Sequence, residues 1–200
     1  MPDWTQRRRS RILLLAIATV FCSGATSDLR AADPPQERLQ LCGTCHGENG
    51  NSRMENTPSL AGQPELFLTN QLILMRERVR HSEVMAPFVK GLKDDEIIAL
   101  AAHYAKLAAE PTDEPVDQAL VPRGAELAKQ LRCGSCHLPS YEGREQMPRL
   151  IHQRLDYLVK SLTEYRDGGR SGIDTSMNGV MYGISNQDIH ALAHYLASLR

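Results

Sequence analysis

Two pentapeptides in this 200-residue chain have residue types and spacing that can do chemistry: Cys42-Gly-Thr-Cys45-His46 and Cys133-Gly-Ser-Cys136-His137. Cys-x-x-Cys-His attaches c-type haem. The two cysteines form thioethers with the porphyrin vinyl groups, and the histidine is placed by a short helical turn to bind iron from the proximal side. The repeats lie 91 residues apart. A four-thiolate zinc site is the competing use of two Cys-x-x-Cys pairs. A histidine following each pair, and the placement of each pair in its own half, speak against it. A thioredoxin-like redox pair requires a βαβ context that this chain lacks.

A sixth iron ligand must come from elsewhere. Each half holds three methionines: Met54, Met75 and Met85, then Met147, Met177 and Met181. Met54 and Met147 follow their histidines by only eight and ten residues, too few to reach the opposite haem face. Met75 falls in a helical pattern and corresponds to Tyr165 in the second half. Met85 follows His46 by 39 residues and Met177 follows His137 by 40, at equivalent positions expected on loops before the last helix. Met85 and Met177 are therefore the expected axial ligands. Met181, whose counterpart is Val89, stays open as the rival to Met177. His81 and His152 are runner-up ligands, neither with a histidine counterpart, and both are expected at the surface. His103, His190 and His194 read as helix-face residues. Pro58 and Pro148, 12 and 11 residues past the histidines, are candidates to offer a carbonyl to the second imidazole nitrogen. Arg80 and Arg170 are candidates to pair with haem propionates.

These residues sit in a tandem repeat. Pro58-Ser-Leu60-Ala-Gly-Gln63 answers Pro148-Arg-Leu150-Ile-His-Gln153, Arg76 and Arg80 answer Arg166 and Arg170, and Ile97–Leu107 answers Ile189–Leu199, at offsets of 90 to 92. The pattern predicts an all-α chain. Each unit should have a short helix (Pro35–Leu41, Gly124–Leu131) leading into the pentapeptide and a middle helix (Pro64–Arg78, Leu155–Tyr165). A final helix should follow, capped by Asp94 or Asn186. Domain limits are expected at 33–110 and 118–200, with a polar, proline-punctuated linker at 111–117. Units of about 80 residues bury little surface and commonly need a staple, which a covalently held haem would provide.

Residues 1–27 read as a secretory signal: Arg7, Arg8, Arg9 and Arg11 precede an apolar run from Ile12 to Cys22 and the small residues Ser23-Gly24-Ala25. The run is shorter than the about 20 residues of a membrane span. The remaining four of the five cysteines all belong to the pentapeptides, so none is left for a disulfide. Loss of the signal takes the formal charge from −1 to −4, and nothing in the pattern suggests nucleic-acid binding.

With these residues in place, the chain resembles di-haem cytochromes c of the cytochrome c4 family. The resemblance spans essentially the whole mature chain. It rests on the two pentapeptides, the Pro-x-Leu-x-x-Gln segments, Arg80 and Arg170, Met85 and Met177, and the closing helices. It implies two tandem class I cytochrome c domains related by pseudo-twofold symmetry, two covalently bound haem c groups, and a periplasmic electron carrier rather than an enzyme. Its implied partners are redox proteins: a terminal oxidase, a quinol-oxidising complex or a dehydrogenase, with peripheral association to membrane complexes. The alternative function is an electron-accepting subunit of a periplasmic dehydrogenase complex. A di-haem peroxidase is a third reading and requires one iron without its methionine. Seven residues separate Arg170 from Met177 but only five separate Arg80 from Met85, so the second methionine segment departs from the first.

Overall fold

Proline disfavours α geometry in the residue before it, so Pro35 ends upstream extension and serves as the N-cap of the first helix, α1 (Gln36–His46). The computed structural model describes residues 33–170, 172–173 and 175–200; the signal assigned to residues 1–27 lies outside the described residues. Instead of ending at Leu41, α1 runs through the first pentapeptide and stops at Gly47, whose φ of 83° is left-handed. The second half divides the same stretch. α5 (Val121–Gln130) ends before Arg132, which adopts φ 55°, and α6 (Gly134–His137) then carries the pentapeptide.

The middle helices, α2 (Glu65–Arg76) and α7 (Leu155–Arg166), fall where their patterns predict. The final helices are α4 (Asp94–Ala105) and α9 (Asn186–Ser198), and their caps lie one residue earlier than expected, at Lys93 and Ser185. The reason is a competing partner. Asp94 accepts from Arg76 at 2.7 Å and Asn186 from Arg166 at 2.5 Å, tying the end of each middle helix to the start of the last one. Capping falls instead to Ser185 Oγ, which accepts from Asp188 N–H, and to Glu96, whose carboxylate takes the Lys93 N–H.

Two short helices were not expected: α3 (Ala86–Val89) and α8 (Ser176–Met181). Met85 directly precedes α3, whereas Met177 lies on α8 and not on a loop. The two additional residues after Arg170 accommodate the longer helix. Among the described residues there is no strand, only an isolated antiparallel bridge between Arg144 and Met147.

Packing repeats with one difference. α2 lies on α4 and α3, while α7 lies on α9 and α8. The second half adds a close crossing of α5 over α9 at Gly124 and has one continuous core through Leu127, Leu158, Met181, Ile189, Leu192 and Leu196. The first half buries two clusters, one around Ile97 and Leu100 and the other around Leu68 and Tyr104, with Leu39 of α1 touching both.

The described residues belong to one compact unit. Between the halves, Gln63 exchanges two hydrogen bonds with the backbone of Arg149, at 3.0 and 3.0 Å, and its repeat counterpart Gln153 does the same with Ser59, at 2.8 and 2.9 Å. Each half thus presents the same segment to the other, as twofold-related surfaces must. The segment from Glu110 to Val116 has no regular element, but it is anchored. Its Glu114 carboxylate accepts from the Leu155 and Asp156 amides at 2.7 and 3.0 Å and so caps α7.

Candidate functional site

Along α1, Cys42, Cys45 and His46 are separated by three and four positions and so share one face. Cys42 is half-buried beside the Leu68–Tyr104 cluster, and Cys133 beside the core of the second half. None of the four cysteines forms a disulfide. Burial pushes the Cys42 and Cys133 thiols up, which disfavours a metal thiolate. Among the described residues, no three His, Cys, Asp or Glu side chains converge on a point that would hold a metal ion, so the zinc reading has no geometric support.

Both pentapeptide histidines are buried, at 6% and 5% exposure. His46 Nδ1 lies 2.8 Å from the Pro58 carbonyl and His137 Nδ1 lies 2.9 Å from that of Pro148. Burial lowers the proton affinity of both imidazoles and outweighs the opposing effect of the proline carbonyls, so each ring is held neutral. A carbonyl only accepts, hence Nδ1 carries the proton and Nε2 keeps its lone pair for a metal. The donor set fits an iron bound from the proximal side. The two proline carbonyls are where the sequence suggested them.

The methionines separate by environment. Met85 is half-buried against the Met75–Leu100 cluster and Met177 half-buried against the core of the second half. Met181 is 1% exposed, as is its counterpart Val89; both fill cores. Met75 is core and Met54 is largely exposed. His81 is exposed, as expected. His152 departs from the surface position expected of it. It is half-buried with a left-handed backbone (φ 58°) between buried Ile151 and Gln153, and both ring nitrogens are out of solvent.

Arg80 and Arg170 meet from opposite halves. Tyr157 Oη receives Arg80 at 3.3 Å and Arg170 at 3.1 Å, while Gln71 Oε1 receives them at 2.6 and 3.4 Å. Arg170 also donates to Ser161 at 3.0 Å and stacks 4.8 Å over the Tyr165 ring. Burial alone would push the Tyr157 phenol up, but the Arg170 and Arg80 guanidiniums prevail and bring it to about 7. Arg170 is 5% exposed and its Nε has no partner among the described residues. Among the described residues no carboxylate pairs with either arginine. The buried Arg170 and the half-buried Arg80, neither paired with an acid, suit carboxylates supplied by a bound group, such as haem propionates. Tyr157, Gln71 and the crossed glutamines were not anticipated. The pairing of Gln63 with Gln153 in the repeat was the available signal for the last of these.

Comparison with known proteins agrees with this geometry. The Cytochrome c family model matches residues 121–200. Cytochrome c4 of Pseudomonas aeruginosa is 31% identical over 95% of this chain and 99% of its own length. A thiosulfate dehydrogenase electron acceptor from Thiomonas intermedia is 32% identical, covering 92% of this chain and 90% of that protein. The crystal structure of reduced recombinant cytochrome c4 from Pseudomonas stutzeri superposes with a TM-score of 0.75 at 31% identity, over 84% of this chain and all of that one. Two tandem helical halves, each with its own haem-attachment pentapeptide, and full-length similarity of this degree lead to one conclusion: the chain belongs to the cytochrome c4 family, di-haem electron carriers with a covalently bound haem c in each half.

Proposed function

We propose that the iron of the first half is held by His46 and Met85 and that of the second by His137 and Met177, with thioethers at Cys42, Cys45, Cys133 and Cys136. Haem c, when bound, supplies an iron that cycles between ferrous and ferric states, and His/Met ligation with burial favours the ferrous form. The chain's own residues set the conditions. Pro58 and Pro148 carbonyls fix each imidazole's tautomer and orientation. Apolar walls around Leu68, Leu100, Leu158 and Leu192 exclude water. Arg80 and Arg170 hold the propionates at the junction of the halves. With two side chains on each iron no coordination position is left for a substrate, so the protein relays electrons without a reaction of its own.

The observation that carries this reading is the repeated pair of Nδ1–carbonyl bonds, 2.8 and 2.9 Å, each leaving an Nε2 for metal, combined with half-buried methionines at equivalent places. The burial of Met181 in the core supports Met177 over it. A pyridine haemochrome count should give two haems per chain, and the ferric protein should show the near-infrared sulfur–iron band. Met85→Ala and Met177→Ala should each abolish that band for one haem. Loss with Met181→Ala instead of Met177→Ala would reassign the second ligand.

The proposed setting is the periplasm, reached by removal of residues 1–27 as a signal. The domain limits there are 33–110 and 118–200, joined by 111–117. Among the described residues no helix is long and apolar enough to cross a membrane. The partners are redox proteins, proposed to be a quinol-oxidising complex as donor and a terminal oxidase as acceptor. A second reading, acceptance of electrons from a dehydrogenase, draws on the Thiomonas intermedia relative. It requires a stable heteromeric complex on purification from the native source, whereas a free carrier purifies alone.

A further inference from the structure

Each proximal histidine is tied through a single peptide unit to a side chain of the opposite half. In the first half, the Pro58 C=O that accepts from His46 Nδ1 and the Ser59 N–H that donates to Gln153 Oε1 belong to the same peptide group; the distances are 2.8 and 2.8 Å. Gln153 Nε2 closes the pair by donating to Ser59 O at 2.9 Å. In the second half the chain is reproduced: His137 Nδ1 to Pro148 C=O at 2.9 Å, then Arg149 N–H to Gln63 Oε1 at 3.0 Å, closed by Gln63 Nε2 to Arg149 O at 3.0 Å. Gln63 and Gln153 are 4% and 5% exposed, so water does not compete for these bonds. The first and last members of each chain come from different halves.

A peptide group that donates through its N–H becomes a better acceptor at its C=O, because hydrogen bonds in series polarise one another, and the effect is larger in a low-dielectric interior. A stronger acceptor on Nδ1–H gives the imidazole more anionic character and makes it a more basic ligand. A more basic ligand favours the ferric state and lowers the reduction potential.

We infer that Gln153 and Gln63 are positioning residues that tune each haem from across the interface: Gln153 of the second half sets the first half's potential, and Gln63 of the first half sets the second's. The inference rests on His46 and His137 being the proximal ligands.

The test is an NMR-monitored redox titration of the holoprotein, with each haem assigned to its half. Gln153→Leu should raise the midpoint of the first half's haem and leave the other unmoved; Gln63→Leu should do the reverse. The reduction equilibrium should change on the order of twofold to threefold, or about 20–30 mV at 59 mV per decade for one electron. Amide exchange at Ser59 should accelerate in Gln153→Leu, and at Arg149 in Gln63→Leu. Should a leucine variant not assemble, Gln153→Asn and Gln63→Asn, which keep the amide but shorten its reach, are titrated instead. A shift of both haems in one variant, a shift of the variant's own half, or no shift overturns the inference. The ligand assignment is judged separately, on the unmutated protein: without the His/Met spectral signature it fails, whatever the glutamine variants do.

Discussion

Gly124→Ala sets helix propensity against packing, and the two give opposite signs. Gly124 lies within α5, where alanine is favoured over glycine by about 1 kcal/mol in an open helix. An added Cβ would lie 2.0 Å from the Ala191 carbonyl oxygen and 2.5 Å from Tyr195 Cβ, both on α9. Neither can rotate away, since one is backbone and the other is fixed to it. Ordinary contact is about 3.4 Å or more, so α5 must retreat from α9 by more than ~1 Å. Inserted atoms in a tight contact typically cost 1–3 kcal/mol, and a gap of ~1 Å along the remaining crossing forfeits up to about half the dispersion energy there. A net loss of about 2 kcal/mol or more is expected. Guanidinium unfolding of the holoprotein, followed by far-ultraviolet circular dichroism, measures it. Gly179→Ala on α8, where nothing lies within 4 Å of the added carbon, is the control and should gain up to about 1 kcal/mol. A Gly124→Ala protein as stable as the parent, or more so, would refute the close-crossing argument.

Glu114→Ala should remove the cap of α7, at about 1–2 kcal/mol; hydrogen exchange at the Leu155 and Asp156 amides should quicken, and unchanged protection there would contradict the capping role. Asp156 bears on acid stability. Its burial opposes ionisation, but Arg154 at 2.8 and 3.0 Å and the Asn56 amide at 2.9 Å prevail and hold its carboxyl below the usual 3.8. The unfolded chain therefore takes up this proton first as pH falls. The stabilisation is complete above the ordinary carboxylate value and disappears as pH drops through the lowered one. Asp156→Asn should flatten the decline in unfolding midpoint below about pH 4; a decline as steep as the parent's would count against the pairing.

How much of this protein was legible in advance depended on the range of the interaction. The attachment cysteines and their histidines could be read directly, because a five-residue motif is local covalent geometry. The middle and final helices followed from hydrophobic periodicity, and the equivalence of Met85 and Met177 followed from the repeat. Helix ends were less legible. Asp94 and Asn186 are good capping residues by type, yet arginines 18 and 20 positions earlier take their side chains. The six residues of α8 are too few to show a period, so in the sequence they look no different from a loop.

By itself, the sequence determined that this is a two-fold repeat of one helical unit, with one haem-attachment site in each copy, because those properties reside in spacing along the chain. Only the tertiary structure decided how the copies meet. The crossed Gln63 and Gln153, the reach of Arg80 to Tyr157, and the capping of α7 by Glu114 join residues 41 to 94 positions apart. No local pattern encodes such pairings. They exist because twofold-like docking buries backbone donors and acceptors that must find partners, and the side chains that reach them belong to the other copy or to the segment between.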